Sequence, residues 1–464
     1  MQKVVAMKTI KYIILGTCIL FALNINAEAQ ENPLRIYGEF FSDQRILIQE
    51  PYDWVWNENR LNFKLDKSFG GKSKFHTEIW VRNFGLPKFY SASDLYNKGI
   101  IDPVDFEIRE AYVELYGFLF KNLDIKIGRQ RIAWGTGDRL NPTDNLNPYD
   151  LEDILDFGRH RGSDALNLNY YLTNDFSLQA VYIPFFRPAN MPVGVFAEAL
   201  TPPMELPPPL ILNSVNDTLL TPRYNLAESS VLGFKFKGFA LGFDFSLSYV
   251  WGRDGIPIST YNTLIPINLI GAVDVNAELS FTRNHIFGAD LAGSIGSVGV
   301  WAEAAVFLPD YEVIMTNDFS ALVPEPLRPM TVDSLVLKKE PYLKFIVGTD
   351  YTFRNGLYLN FQYLHGFINE RGKGEMNDYF FIGLDKTFFN DKLKIVPLAG
   401  AFIISDWKDI KNNYSLIYVP EIEYRATDNV LLSLRAALFT GKGSNVFVQL
   451  NDYNMLMFKM IFSF

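Results

Sequence analysis

The chain ends on a strand that water does not tolerate. Residues Asn454 to Phe464 read Asn-Met-Leu-Met-Phe-Lys-Met-Ile-Phe-Ser-Phe. Counted back by twos, Leu456, Phe458, Met460, Phe462 and Phe464 form one continuous apolar stripe. The opposite face is mixed and carries Asn454, Lys459 and Ser463. In water such a strand templates aggregation. In lipid every backbone group must be satisfied within the protein, and a sheet closed on itself achieves this. The terminal stripe therefore predicts a closed membrane barrel, with this strand sealing it against the strand near Leu34 to Ile48.

The rest of the chain repeats the same period. Leu61, Phe63 and Leu65 alternate with Asn62, Lys64 and Asp66. Phe75, Thr77, Ile79 and Val81 alternate with Lys74, His76, Glu78 and Arg82. Leu241, Phe243, Phe245 and Leu247 alternate with Gly242, Asp244, Ser246 and Ser248. Alternation at 180° per residue marks half-buried strands. A soluble sandwich shows it too, and loop length separates the two. Tight turns rich in Gly, Asn and Asp fall at 70–72, 121–122, 174–175, 237–238, 295–296, 354–356, 390–391 and 428–429. Between them lie long connections, roughly 84–104, 131–163, 187–228, 252–272 and 309–340. Sorting of short and long loops to opposite ends belongs to outer-membrane barrels. The fold expected is all-β: a transmembrane antiparallel β-barrel of about 18 strands, with 16 as the alternative count. Aromatic residues make up 15% of the chain, which suits interfacial girdles.

The N-terminus points to export. Lys3, Lys8 and Lys11 precede an apolar run from Ile13 to Leu23, and Ala27-Glu28-Ala29 offers a cleavage site. The run is about half of the ~20 residues a spanning helix needs. Residues 1–29 are expected to be a signal peptide and residues 30–464 one barrel domain. Cys18, the chain's one cysteine, falls in the leader, so disulfides and thiolate metal sites are not expected. The net charge of −9 argues against nucleic acid as a partner.

Apolar residues on the lipid parity leave the other parity to the lumen. That face collects Glu78, Arg82, Glu110, Glu114, Asp244, Glu303, Glu421, Glu423 and Arg435. Basic residues at mid-depth on the lipid side would cost about 2–4 kcal/mol each. A wet, charged interior favours a channel. A barrel this wide has room for an aqueous lumen.

The connection from Arg131 to Gly162 is dense in both charges. The candidate pore constriction is Arg129, Arg131, Arg139, Asp150, Glu152, Asp153, Arg159 and Arg161. Pro148 followed by Tyr149 to Leu155, with acids in its first turn, predicts a short helix. So many ordering residues predict a loop folded into the pore. The segment 187–228 is nearly uncharged. It carries Pro188, Pro192, Pro202, Pro203, Pro207, Pro208 and Pro209 among apolar residues, and reads as a semi-rigid flap over the mouth.

Two resemblances enter here. The terminal stripe resembles the C-terminal signature of bacterial outer-membrane barrels, which implies recognition by their assembly machinery. Gly128-Arg129-Gln130, Trp134-Gly135, Asn141-Pro142-Thr143-Asp144 and Asn147-Pro148-Tyr149-Asp150-Leu151 resemble a pattern in uncharacterised barrels similar to the alginate-export porin group. That resemblance implies a porin with an arginine-bearing constriction. In the alginate-export porin itself the arginines select an anionic polysaccharide. Here nearly as many acids stand beside them.

No chemistry of catalysis stands out. His76, His160, His285 and His365 are scattered, with no metal-ligand spacing. Gly135-Thr136-Gly137 lacks the lysine of a phosphate loop. His285 lies on the lipid parity near Ser280 and Ser294, a pairing that outer-membrane phospholipases use. No cofactor and no enzyme activity are expected. The expected partners are outer-membrane lipid and lipopolysaccharide, the assembly machinery and a transported solute. The function expected is passive diffusion of polar solutes, charged ones included. The alternative is an export or hydrophobic-cargo barrel served by a periplasmic partner.

Overall fold

The computed structural model describes residues 33–197, 206–268 and 271–464. The expected signal peptide, and Pro202 and Pro203 of the proline-rich segment, lie outside the described residues.

Eighteen antiparallel staves close into a barrel. In chain order they are Arg35–Leu47, Trp54–Phe69, Ser73–Phe84, Val104–Leu115, Leu123–Gln130, Ser163–Tyr171, Phe176–Ile183, Val231–Ala240, Phe243–Arg253, Arg283–Ile295, Val298–Pro309, Tyr342–Thr352, Leu357–His365, Asp378–Phe388, Leu393–Ile404, a broken stave, Val430–Lys442 and Met455–Ser463. The sixteenth stave is made of Tyr414–Tyr418 and Glu421–Thr427. Pro420 falls between the two pieces, opposite Pro397 in the fifteenth stave, and neither can donate to the ladder.

Closure is as the terminal stripe predicts. The last stave pairs with the first, Phe40 opposite Phe462 and Ser42 opposite Met460. Phe464 donates its amide to the Gly38 carbonyl, and the Gly38 amide donates to Phe464, both at 3.0 Å. A side chain at Gly38 would sit 2.0 Å from the Asn62 carbonyl and 3.1 Å from the Phe464 ring, so only glycine admits this close seam. Leu456, Phe458, Met460, Phe462 and Phe464 face outward, while Met455 and Met457 are buried inward.

All eight turns at one end, with both strand termini, are short, and the nine connections at the other end include every long one. Aromatics crowd the short-turn rim, among them Tyr116, Phe118, Phe120, Tyr170, Tyr171 and Phe389. The barrel wall carries an outward apolar band that includes Phe234, Leu247, Phe287, Val347, Ile422 and Leu434. Such a continuous exterior is stable against hydrocarbon and not against water. The chain is therefore a transmembrane β-barrel.

Three long connections build a structure that alternation alone does not predict. Thr331–Leu337, Val313–Asp318, Ile258–Pro266, Ala272–Ser280 and Ile211–Leu220 form a second sheet of five strands in that order. Two hairpins join through a parallel pairing of Tyr261 with Thr316, and Ile211–Leu220 adds parallel to Ala272–Ser280. The flap reading of 187–228 is thereby corrected: its second half is an edge strand. No proline falls between Ile211 and Leu220, so nothing prevents pairing there, and Pro222 follows the strand's end.

Candidate functional site

The connection between the fifth and sixth staves, residues 131–162, lies inside the barrel and is tied to both walls. On one wall, Arg45 of the first stave donates from Nη1 to Asp153 Oδ1 at 2.9 Å. Arg82 of the third stave donates to both oxygens of Glu152, at 2.7 and 2.9 Å. Arg109 of the fourth stave donates to Asp150 at 2.8 Å and to the His160 carbonyl at 2.7 Å. The far wall offers Glu303 of the eleventh stave. Its carboxylate accepts from the amides of Thr136, Gly137 and Thr143 at 2.9, 3.2 and 2.6 Å, and from Asn141 Nδ2 at 3.1 Å. Asp138 accepts from Gln362 Nε2 of the thirteenth stave at 3.2 Å. The third and thirteenth of eighteen staves are nearly half a circumference apart, so the loop crosses the lumen.

Glycine makes the far grip possible. Gly135 has φ +93°, and a Cβ there would lie 2.4 Å from the Glu303 carboxylate. Apolar contacts add to the ties. Leu140, Leu151 and Ile154 join the buried cluster of Trp56, Phe196, Leu364 and Tyr379, while Trp134 and Leu146 join a second one with Val181, Val231 and Ile286. Near the loop's tip Phe157 packs edge-on to Phe367 and Phe447, at 5.6 and 5.9 Å.

The near wall is a cationic ladder around tryptophan. Arg60 and Arg109 lie 4.0 and 4.1 Å from the Trp80 ring, with Arg159 of the loop at 5.9 Å. Arg45 lies 4.5 Å from Trp56. Acids hold the ladder: Glu58 pairs with Arg60 at 3.0 Å and Asp150 with Arg159 at 2.9 Å. Burial pushes the Asp150 carboxyl up, but Arg159 and Arg109 outweigh it and hold it at about 2. Asp153 is shifted the same way, burial opposing and Arg45 prevailing. Burial keeps His160 below its ordinary value, and therefore neutral at pH 7.

The expected constriction residues divide. Asp150, Glu152, Asp153 and Arg159 meet the wall ladder. Arg131 braces the loop from within, pairing with Asp144 and donating to Asn147 at 3.2 Å. Arg139 is largely exposed, at φ +69°, with Asp156 3.9 Å away. Two expectations are corrected. Arg129 is on the outer side of the wall, paired with Asp164 at 3.3 Å, because its neighbour Gln130 takes the inward position. Arg161 donates to the Pro188 carbonyl at 2.7 Å and ties two loops together rather than facing the ladder. The helix expected after Pro148 does not form. Tyr149 bridges His160 and Asp150 bridges Asn190, so Asp150 and Asp153 serve arginines instead of a helix N-terminus.

Of the expected lumen residues, Arg82 and Glu303 anchor the loop as described. Glu421 pairs with Arg435 at 2.6 Å, with Glu423 beside them on the same parity. Glu78, Glu110 and Glu114 line the short-turn half, and Asp244 is exposed beside its turn. Arg45, Arg60 and Arg109 are additions. Arg60 shares the parity of Lys64 and was legible. Arg109 is on the parity opposite to Glu110 and Glu114 and turns inward because a register shift falls between Glu78 and Ile79, opposite it. Near the long-loop rim, His285 Nδ1 is 2.7 Å from the Tyr249 hydroxyl and Nε2 is 3.3 Å from Asp310, so its partners are neither Ser280 nor Ser294.

A family model described as "Protein of unknown function (DUF1302)" matches residues 51–367. No curated protein matches the sequence. Among solved structures, Acinetobacter baumannii OccAB1 superposes with a TM-score of 0.51 at 7% identity, over 95% of this chain and 97% of that one. Pseudomonas putida OprB gives 0.44 at 10% identity, over 93% and 94%. Salmonella typhi OmpF gives 0.40 at 10% identity, over 93% and 98%. At such identities the likeness is one of fold.

Proposed function

We propose that this chain, which belongs to the family described as "Protein of unknown function (DUF1302)", is an outer-membrane channel for polar solutes, charged ones included. One observation carries the reading: loop 131–162 is fixed across the lumen between the arginines of the first, third and fourth staves and Glu303 of the eleventh. A loop held this way narrows a path without needing to move. The ladder of Arg60, Arg82 and Arg109, with Arg159 facing it, sets charge preference at the narrowing. The residues that cross-link the loop, Asp150, Glu152 and Asp153, set its size. The outward apolar band suits outer-membrane lipid and lipopolysaccharide. The terminal stripe suits the barrel assembly machinery. The barrel acts without enzymatic chemistry. The test is conductance in planar bilayers of the wild type and of a chain with residues 136–157 replaced by a short Gly-Ser linker. Steps that grow on replacement support the reading, and silence of both forms overturns it.

A second reading has one observation in its favour. A cavity lies between the loop and the wall, with Leu140, Leu146, Ile183, Val231, Ile286 and Phe307 as its apolar lining beside the charged Arg187, Arg253, Asp254 and Lys344. It suits a barrel that passes lipids or apolar compounds received from a periplasmic partner. Saturable binding of a fluorescent fatty acid, lost in Ile286→Glu, together with absent ion conductance, would favour that reading.

A further inference from the structure

We propose that His76, Glu78 and Glu110 form a binding site for a divalent transition-metal ion of the Zn²⁺ class on the lumen wall. His76 and Glu78 are two residues apart on the third stave and share a face. Glu110, on the fourth, is the cross-strand partner of Glu78. One ligand atom from each lies within 4.8 Å of the others, and His76 Nε2 is 3.4 Å from Glu110 Oε2. Zn–ligand bonds of about 2.0–2.1 Å in a tetrahedron separate neighbouring ligands by roughly 3.3 Å. Two hydrogen-bonded strands hold such a set with little freedom left to lose.

A second observation points to a cation there. Asp66 Oδ1 lies 2.8 Å from His76 Nδ1. A carboxylate only accepts, so Nδ1 carries the hydrogen and Nε2 turns toward the two glutamates. This is how metal-binding imidazoles are oriented. Each glutamate also has its other oxygen occupied. Glu78 Oε1 accepts from Trp80 Nε1 at 3.0 Å, and Glu110 Oε1 accepts from the Arg131 amide. A lone pair facing two carboxylates is repelled unless a proton or a metal stands between them. Lys64 Nζ is 3.4 Å from Glu78 Oε2, the oxygen left for the ion, and its long side chain must swing aside on binding; Lys74, 3.0 Å from Asp66, stays outside the set. An imidazole donor favours Zn²⁺ over Mg²⁺ and Ca²⁺. The site touches the root of the inward loop through Arg131, so a bound ion would brace that loop where it leaves the wall.

The experiment is calorimetric titration of Zn²⁺ into the full-length barrel in detergent at pH 7.5. We expect one equivalent to bind. Binding should weaken at least tenfold in His76→Ala and in Glu110→Gln, and about tenfold in Asp66→Asn, which removes only the orienting contact. Ca²⁺ at the same concentration should not compete. Heat-dependent gel migration checks that each variant is folded, and the conservative Glu78→Gln serves where His76→Ala is not. No saturable binding, or unchanged binding in the folded His76→Ala and Glu78→Gln variants, overturns the site and leaves His76 as an imidazolium braced between Asp66 and Glu110. The readout is binding, so a barrel silent in bilayers would sink the channel reading and leave this one standing.

Discussion

Arg45 and Asp153 meet inside the barrel as a buried pair, 108 residues apart in sequence, with Arg45 wholly inaccessible to solvent. Asp43, 2.8 Å from the same guanidinium, completes the group. Removing Asp153 leaves Arg45 to Asp43 alone, so the cost falls below the roughly 3–5 kcal/mol of a fully stranded buried charge. Asp153→Ala should therefore free the loop from the first stave, lower the urea midpoint of unfolding and raise single-channel conductance with added noise. Unchanged conductance and midpoint would mean that the pair anchors nothing.

Glu303 holds the other end of the loop, and its oxygens accept from three backbone amides. In Glu303→Gln the side-chain NH2 would face one of the two donor sets, Thr136 and Gly137 or Thr143, so the variant keeps shape and loses half of the grip. Charge-assisted bonds of this kind contribute about 1.5–3 kcal/mol each. The expected outcome is protease cleavage within 131–146 of the folded barrel, absent in the wild type. Gly135→Ala should do the same, since its Cβ would occupy the carboxylate's position.

The eighteen staves were legible because alternation survives wherever one face meets lipid. Other features obey rules that alternation does not carry. Arg109 enters the lumen through a bulge, which reverses parity at one residue. Ile211–Leu220 joins Ala272–Ser280 in parallel, a pairing between segments some 60 residues apart with no hairpin to announce it. The helix expected at Tyr149 to Leu155 fails because tertiary ion pairs outweigh a local preference worth tenths of a kcal/mol per residue. The inward loop could be read from its charges. Its far anchor, one glutamate among many on the lumen parity, could not.

Acid should open the narrowing only well below neutrality. Asp150 is held at about 2, below its unfolded value of about 3.9. A depressed carboxyl stabilises the folded loop above the unfolded pKa and loses that contribution as pH falls through the folded one. The difference of roughly two units is on the order of 2.6 kcal/mol. Asp153 acts in the same direction at still lower pH. Conductance should hold steady from pH 7 to about 4 and rise between about 4 and 2. A rise already complete at pH 5 would place the control in other groups.

The seam between first and last staves makes the final prediction. Glu39 and Ser463 face each other across it on the lumen side. Directly opposed cross-strand residues bring Cβ atoms within about 4.5–5.5 Å, close to disulfide reach. Glu39→Cys with Ser463→Cys should cross-link on oxidation, and the barrel should then keep its fast, folded gel migration on boiling until reductant is added. Glu39→Cys with Phe462→Cys places the second thiol on the lipid face, because adjacent strand residues point opposite ways, and should not cross-link. Equal cross-linking of both pairs would mean that the seam slips. In that case the inward positions of Asp43 and Arg45 would slip with it, and with them the anchor that holds the loop across the lumen.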